Sequence, residues 1–166
     1  MMPTFGGNPV NLVGKQVNIG DVVRNFTVID NHLTPVQFDD FKNFKYRVVS
    51  VVPSLDTGVC DFQTKKINQE LASKDNLVVL TISNDLPFAQ ARWCGASGLD
   101  NVITLSDYKD LDFAKAFGTL IEEHRLQTRA VFVVDQNNKV LYAEYLDEVT
   151  NHPNYDALLE FVNNLS

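Results

Sequence analysis

Two short runs of mostly β-branched residues most constrain how this chain can fold. Arg47–Val52 and Leu77–Ser83 are continuous rather than alternating in hydrophobicity, which is typical of strands that are buried on both faces of a sheet. Between them, apolar residues recur at helical spacing from Val59 to Leu71. Because strands linked by a helix run parallel, this unit predicts two parallel neighbours in the middle of a sheet.

The rest of the chain continues this alternation of strands and helices. The predicted elements are an N-terminal hairpin at Thr4–Leu12, a strand at Asn25–Ile29, a helix that is opened by a cap and an early proline within Asn84–Pro87 and stops at Gly95, a strand at Val102–Leu105, a helix at Asp112–Gly118, a hairpin of Arg129–Asp135 and Val140–Leu146, and a helix at Tyr155–Leu165. This order predicts an α/β, thioredoxin-like fold, in which a mixed central sheet has helices on both faces. A single domain over residues 1–166 suits the chain length.

The amino-acid composition argues against several classes of binding partner. The net charge is −7 and no cluster of Lys and Arg is present, which argues against nucleic acid or an anionic membrane as a partner. No signal peptide or apolar run long enough to span a bilayer is visible, so we expect a cytoplasmic protein. Two cysteines and three scattered histidines are too few and too dispersed to predict a disulfide scaffold or a metal site.

The segment after the first buried strand presents a thiol. Pro53 ends the strand, Thr57 is a suitable helix cap, and Cys60 falls in the first turn of the next helix. The N-terminus of a helix favours a thiolate over a thiol. A free cysteine is already about 3% ionised at neutral pH, so complete ionisation gains only about thirtyfold in rate. A fast nucleophile at Cys60 therefore needs groups that stabilise the transition state, and Thr57 is the nearest candidate.

Pro53, Thr57 and Cys60 form the pattern P-x-x-x-T-x-x-C, which resembles the active-site signature of the peroxiredoxins. Three further segments, Ser83–Gln90, Arg92–Cys94 and Gly98–Ser106, are similar to the bacterial thiol peroxidase branch, whose members are atypical two-cysteine peroxiredoxins. The resemblance covers nearly the whole chain. It implies a cofactor-free peroxidase of hydroperoxides with a thioredoxin fold, which assembles as a homodimer.

The resemblance also implies a role for each matched residue. Cys60 is the peroxidatic nucleophile that becomes a sulfenic acid, and Cys94 is the resolving thiol that condenses with it into a disulfide for a thioredoxin-type donor to reduce. Thr57 hydrogen-bonds the thiolate and the peroxide, Pro53 shields the site from water, and Arg129 supplies positive charge. Topology supports the same role on one condition: if the Arg129 strand is the reversed strand of its hairpin, it begins where Arg47–Val52 ends, and Arg129 then faces Cys60. Arg125 is a second, weaker contender for this role.

Other interpretations remain open at this point. Two cysteines in a chain of this kind are more often inert buried residues. A thioredoxin-like disulfide reductase is disfavoured because Thr57 replaces the first cysteine of C-x-x-C, and a peroxide sensor that passes its disulfide to a partner needs the same two thiols. Since Cys60 starts one predicted helix and Cys94 ends another, we also hypothesise that both helix ends unwind locally for the disulfide to form.

Overall fold

The computed structural model of the protein describes residues 2–99 and 101–165. Met1, Asp100 and Ser166 lie outside the described residues, so the resemblance at Asp100 and the outermost residues of the predicted domain stay predictions. The strands within the described residues are β1 (Thr4–Phe5), β2 (Asn8–Pro9), β3 (Leu12–Val13), β4 (Thr27–Ile29), β5 (Pro35–Gln37), β6 (Tyr46–Val51), β7 (Leu77–Ser83), β8 (Ile103–Ser106), β9 (Leu120–Ile121), β10 (Leu126–Gln127), β11 (Ala130–Asp135) and β12 (Val140–Tyr145).

The closing helix buries one face against the sheet, and its predicted buried set is confirmed in part. In the closing helix, Leu158 and Val162 are buried, whereas Leu159, Phe161 and Leu165 from the predicted buried set pack only partly against the same core. The helices are α1 (Gly58–Leu71), α2 (Pro87–Ser97), α3 (Asp112–Phe117) and α4 (Tyr155–Asn163), with a 3-10 helix at Phe38–Phe41.

The central sheet has seven strands in the order β12-β11-β6-β7-β8-β4-β5. Strands β6, β7 and β8 are parallel, whereas β11 is antiparallel to β6 and β12 is antiparallel to β11. The predicted mixed sheet and the reversal of the Arg129 strand are therefore confirmed. Ala130 pairs with Val51, so Arg129 lies at the edge of the sheet where β6 ends and the chain turns toward Cys60.

Helices cover both faces of this sheet. Val49 of β6 shares one core with Phe117 of α3, whereas Val48 points to the opposite face and shares a second core with Ile67 of α1 and Leu158 of α4. Successive residues of a strand point to opposite faces, which explains why the run in β6 is continuously apolar. The predicted thioredoxin-like arrangement is confirmed.

The N-terminal hairpin predicted at Thr4–Leu12 is also present. Strands β1 and β2 are antiparallel and are joined by Gly6 and Gly7, whose φ values of 60° and 84° favour glycine over residues with a side chain. The Glu148 carboxylate accepts hydrogen bonds from Thr4 Oγ1 at 2.8 Å and from Gly7 N–H at 2.7 Å. The hairpin is thereby fastened to the loop that carries Val149, which enters the site described below.

The predicted stop of the Cys94 helix is wrong, whereas its predicted start is confirmed. The helix continues through Gly95 and ends at Gly98, which has a φ of 73°, because a helix C-terminus commonly needs a left-handed residue and Gly95 does not adopt that conformation. At the other end the predicted early proline is confirmed, because Pro87 is the first residue of the helix and Leu86 occupies the N-cap position. Asp85 instead accepts hydrogen bonds from Ser54 Oγ and Leu55 N–H, both at 2.8 Å.

Several very short strands were not predicted from the sequence. Strand β5 pairs with β4, and β3, β9 and β10 form a separate three-stranded sheet. Each has only two or three residues, so none shows enough alternation to be recognised as a strand.

Candidate active site

Cys60 is the third residue of α1 and is fully buried. Strand β6 ends at Val51, the next residues form a loop through Pro53, and the chain enters α1 after Thr57. Asp85 holds this loop through Ser54 and Leu55, as described above. The predicted position of Cys60 in the first helical turn is confirmed.

Two residues of the part of the chain that the structure describes form hydrogen bonds with the Cys60 sulfur. Thr57 Oγ1 lies 2.6 Å from Sγ, and Arg129 Nη2 lies 3.2 Å from it. Thr57 occupies the N-cap position, but its side chain makes no capping bond, so the prediction that it caps the helix is wrong in this respect. Its hydroxyl also lies 3.1 Å from the carbonyl oxygen of Ser54. A hydroxyl has one proton, and the thiolate is the stronger acceptor once Cys60 ionises.

The Arg129 guanidinium is held rigidly beside the sulfur. Its Nε donates to the Val149 carbonyl oxygen at 2.6 Å, and Nη1 donates to Gln63 Oε1 at 2.9 Å. Arg129 is buried, and no carboxylate of the described residues forms a salt bridge with it. A buried, uncompensated positive charge is therefore directed at Cys60.

Gln63 is a site residue that the sequence reasoning missed. It is fully buried one turn after Cys60, and its Nε2 donates to Ser50 Oγ at 2.9 Å while its carbonyl oxygen accepts from Arg129. Gln63 thus connects the central strand to the guanidinium. The available signal was a polar residue in the buried stripe of α1, where hydrogen-bond partners are required.

A small cavity of about 150 Å³ is lined by Thr57 and Arg129, the residues that contact the buried sulfur. Pro53 contributes to its wall. Arg125 is exposed and does not line this cavity, and its carbonyl oxygen accepts from Asn84 Nδ2 at 2.7 Å. The cavity is lined by Phe5, Pro53, Thr57, Gly58, Val59, Arg129, Val149 and Thr150.

Cys94 has quite different surroundings. It is half-buried in α2, with Sγ 3.3 Å from Thr104 Oγ1 and 3.8 Å from Asn31 Nδ2. Thr104 Oγ1 also donates to Asn31 Oδ1 at 3.0 Å. Both cysteines are free thiols in this structure, and among the described residues they share no hydrogen-bond partner. Neither Asn31 nor Thr104 was predicted, because they lie far from Cys94 in sequence.

Two titratable groups near the site have shifted pKa values. The pKa of Glu148 is lowered to about 2 by hydrogen bonds, and the bond from the Thr150 hydroxyl contributes most. Burial raises the pKa of Tyr155 to about 12, although the positive charge of Arg129 opposes this shift. Tyr155 is therefore neutral at physiological pH, and its hydroxyl lies 2.8 Å from His152 Nδ1.

The described residues form neither a metal centre nor a membrane-spanning helix. Among residues 2–99 and 101–165, no group of three or more His, Cys, Asp and Glu side chains is placed to hold a metal ion. Within the same residues, every helix is too short or too polar to cross a bilayer.

Comparison with known proteins agrees with this arrangement. The Redoxin family profile matches residues 18–159. Proteins called thiol peroxidase from Staphylococcus epidermidis and Bacillus subtilis are each 55% identical to the chain, over 98% and 95% of it and over 98% and 93% of their own lengths. The crystal structure of a peroxiredoxin-like protein from Aquifex aeolicus matches 99% of this chain and 97% of its own, with 36% identity and a TM-score of 0.91.

The chain therefore belongs to the Redoxin family, whose thioredoxin-like fold it shares. Within that family, its near full-length relatives place it among the bacterial thiol peroxidases. The resemblance stated from the sequence is confirmed, and so is the class of enzyme, a thiol-dependent peroxidase.

Proposed function

We propose that this enzyme reduces hydrogen peroxide and organic hydroperoxides through a sulfenic acid on Cys60 and a disulfide between Cys60 and Cys94. The observation that carries the proposal is the convergence of Thr57 Oγ1 and Arg129 Nη2, at 2.6 Å and 3.2 Å, on one buried sulfur. Such donors stabilise negative charge as it moves from sulfur to oxygen, and their rigid support means that little reorganisation is needed.

In the first step the Cys60 thiolate attacks the terminal oxygen of the hydroperoxide. The new S–O bond forms as the O–O bond breaks, the sulfur is oxidised, and the leaving oxygen takes a proton to become water or an alcohol. The hydroxyl of Thr57 and the guanidinium of Arg129 are the groups that contact the reacting atoms. Pro53 excludes bulk water, and the apolar walls from Phe5, Val59 and Val149 suit the organic part of an alkyl hydroperoxide.

In the second step the Cys94 thiol attacks the Cys60 sulfenic acid. An S–S bond forms and water leaves, so the oxidation state of the pair is conserved. A disulfide requires the α-carbons of the two cysteines to lie within about 7 Å of each other. In this structure the two thiols are instead hydrogen-bonded to different residues, Cys60 to Thr57 and Cys94 to Thr104. Local unwinding at the start of α1 and around Cys94 in α2 therefore remains part of the proposal. Indistinguishable amide-exchange protection in the reduced and oxidised enzyme would contradict the unwinding.

A thioredoxin-type dithiol then reduces the disulfide, and turnover with a thioredoxin system tests the catalytic cycle. The native enzyme is expected to consume many equivalents of hydroperoxide, whereas Cys94→Ser is expected to lose thioredoxin-dependent turnover. If the native protein stops after about one equivalent, as for a sensor that needs its own partner, the catalytic cycle is contradicted in favour of a peroxide sensor or redox relay.

Three further expectations concern the domain organisation, the cellular location and the oligomeric state of the enzyme. We retain a single thioredoxin-fold domain over the whole chain, a cytoplasmic location and a homodimer as proposals. Exposed apolar side chains at the start of α2, with Leu86 at 52% and Phe88 at 67% exposure, support a subunit contact. Sedimentation at micromolar concentration tests it, and a monomer would contradict the homodimer.

A further inference from the structure

Trp93 and Asp61 connect the two helices that carry the cysteines. Trp93 Nε1 donates a hydrogen bond to Asp61 Oδ1 at 2.8 Å. Each residue is the sequence neighbour of a cysteine, since Asp61 follows Cys60 and Trp93 precedes Cys94. The Trp93 ring also packs against the buried apolar cluster that contains Cys60. The contact between α1 and α2 next to Cys60 is therefore made by Trp93.

This contact determines where Cys94 points. Successive residues of an α-helix are separated by about 100° around its axis. With Trp93 turned toward the Cys60 cluster, the next residue points elsewhere, and Cys94 Sγ lies beside Thr104 and Asn31. Cys94 cannot approach Cys60 until α2 turns or unwinds, and either movement withdraws the Trp93 ring and breaks its hydrogen bond.

Asp61 is held in place from its other side. Its Oδ2 pairs with Lys65 Nζ at 3.1 Å, one turn along α1. The carboxylate also lies in the first turn of α1, where negative charge is favourable. Asp61 is thus a fixed acceptor that presents one oxygen to Lys65 and the other to Trp93.

We propose that the Trp93–Asp61 hydrogen bond is a latch that holds Cys94 away from Cys60 and limits the rate at which the sulfenic acid is resolved. This inference rests on the proposed function, in which Cys94 is the resolving thiol. Trp93 and Asp61 are positioning residues, because they act on Cys94 through the conformation of α2 and do not touch the peroxide.

The latch governs a competition between two fates of the Cys60 sulfenic acid. Attack by Cys94 gives the disulfide and releases water. Attack on a second hydroperoxide instead adds an oxygen to the sulfur, which gives a sulfinic acid and releases water or an alcohol. Because the latch delays the first route and leaves the second unchanged, it makes the enzyme more sensitive to inactivation at high peroxide concentration.

Trp93→Phe tests the latch because it keeps an aromatic ring and removes the N–H donor. We expect disulfide formation after a single equivalent of hydrogen peroxide to become about fivefold faster, the equivalent of one net hydrogen bond of about 1 kcal/mol. The peroxide concentration that gives half sulfinic acid should rise by a similar factor. Acid-quenched mixing, thiol alkylation and intact mass follow both products without relying on tryptophan fluorescence.

Three further variants test whether the Trp93–Asp61 hydrogen bond, rather than a neighbouring contact, limits the rate of resolution. Asp61→Ala removes the acceptor and should accelerate resolution as Trp93→Phe does, which also covers the case in which Trp93→Phe does not fold. Asp61→Asn keeps a carbonyl oxygen for Trp93 and should stay close to native. Lys65→Ala removes the ion pair that fixes Asp61 but keeps the carboxylate acceptor for Trp93, so it should accelerate resolution by less than Asp61→Ala does.

The outcomes distinguish the latch from the proposed function. If native protein forms the Cys60–Cys94 disulfide but the folded variants among Trp93→Phe and Asp61→Ala resolve no faster, the latch is wrong and the proposed function stands. If native protein forms no such disulfide, the proposed function fails, and the latch fails with it.

Discussion

The two cysteines occupy contrasting environments in the same fold. Cys60 is fully buried and receives two close donors, whereas Cys94 is half-buried beside a hydroxyl and an amide at 3.3 Å and 3.8 Å. Arg129, one of the Cys60 donors, is fixed by the Val149 carbonyl and by Gln63. The partners of Cys94 are Thr104 on β8 and Asn31 on the turn after β4, and they leave Cys94 partly exposed.

This difference corresponds to two chemical tasks. A nucleophile gains rate from donors that are already positioned for the transition state. A resolving thiol must instead leave its resting place to form a bond elsewhere, so strong contacts there would slow it. The comparison predicts that substitutions around Cys60 affect the reaction with peroxide, while substitutions around Cys94 affect only the later steps.

The largest expected effect comes from Arg129→Lys. Lysine keeps the charge but lacks the planar fork that contacts Val149, Gln63 and the sulfur together. We expect kcat/KM for hydrogen peroxide to fall about 10²- to 10³-fold. Stopped-flow consumption of peroxide measures the change, and Arg125→Lys is the matched control that should behave as native. A native rate in Arg129→Lys would remove Arg129 from the mechanism.

Thr57→Val is expected to have the next largest effect. It removes the hydroxyl 2.6 Å from Cys60 Sγ at nearly constant volume, and a hydrogen bond to a charged group contributes about 1.5–3 kcal/mol. The rate of sulfenic acid formation should fall about 10- to 100-fold, and Thr57→Ser should recover most of it. Thr104→Val makes the same change beside Cys94 and should leave this rate unchanged. Equal effects of Thr57→Val and Thr104→Val on this rate would contradict the proposed difference between Cys60 and Cys94.

Gln63→Leu tests the support behind Arg129. The substitution leaves Arg129 Nη1 and Ser50 Oγ without their partner, so we expect about a tenfold loss in kcat/KM and a stability loss of about 1–3 kcal/mol. Asn68→Leu is the matched control, since Asn68 is also buried in α1 but donates only to Thr64 O at 2.8 Å. It should lose stability alone. Urea unfolding and peroxide kinetics on both variants separate these effects, and equal kinetic losses would contradict the assignment of Gln63.

The smallest expected effect concerns Glu148, which holds the loop that carries Val149. Its pKa is lowered to about 2, so the carboxylate stabilises the fold above its ordinary pKa near 4.5 and loses this contribution as pH falls toward 2. Glu148→Gln should be less stable than native at pH 7, and the difference should shrink at pH 3. Denaturant unfolding at both pH values measures it, and a pH-independent difference would contradict the linkage.

Glu123→Gln provides the control for Glu148. The Glu123 carboxylate also holds the N-terminal segment, through Asn11 N–H at 2.9 Å, but it does not contact the Val149 loop in these bonds. Both substitutions should therefore affect stability, whereas only Glu148→Gln should reduce peroxidase activity, by less than about twofold because the carboxylate is at the surface.

The features that are predictable from the sequence are those that depend on residues close together in the chain. Pro53, Thr57 and Cys60 lie within eight residues, and the runs in β6 and β7 are long enough to identify buried strands. Arg129 required one further step, the reversal of a strand in a hairpin. The thioredoxin-like order of elements followed from the same patterns.

The remaining features depend on contacts between distant residues. The Cys94 helix passes Gly95, because glycine is compatible with a helix interior as well as with a stop. Gln63 and Thr104 have no linear signature, since a buried polar residue acquires its role only from the partners that the fold supplies. The Trp93–Asp61 hydrogen bond likewise joins residues 32 positions apart.

The central claim is that Cys60 reacts with peroxide and Cys94 resolves the product. Intact mass and free-thiol count after a single equivalent of cumene hydroperoxide test it most directly, on native protein and on Cys60→Ser and Cys94→Ser. The account predicts that native protein loses both thiol hydrogens, that Cys94→Ser stops at a sulfenic acid, and that Cys60→Ser does not react. Consumption of peroxide by Cys60→Ser, or a free Cys94 in oxidised native protein, would contradict it.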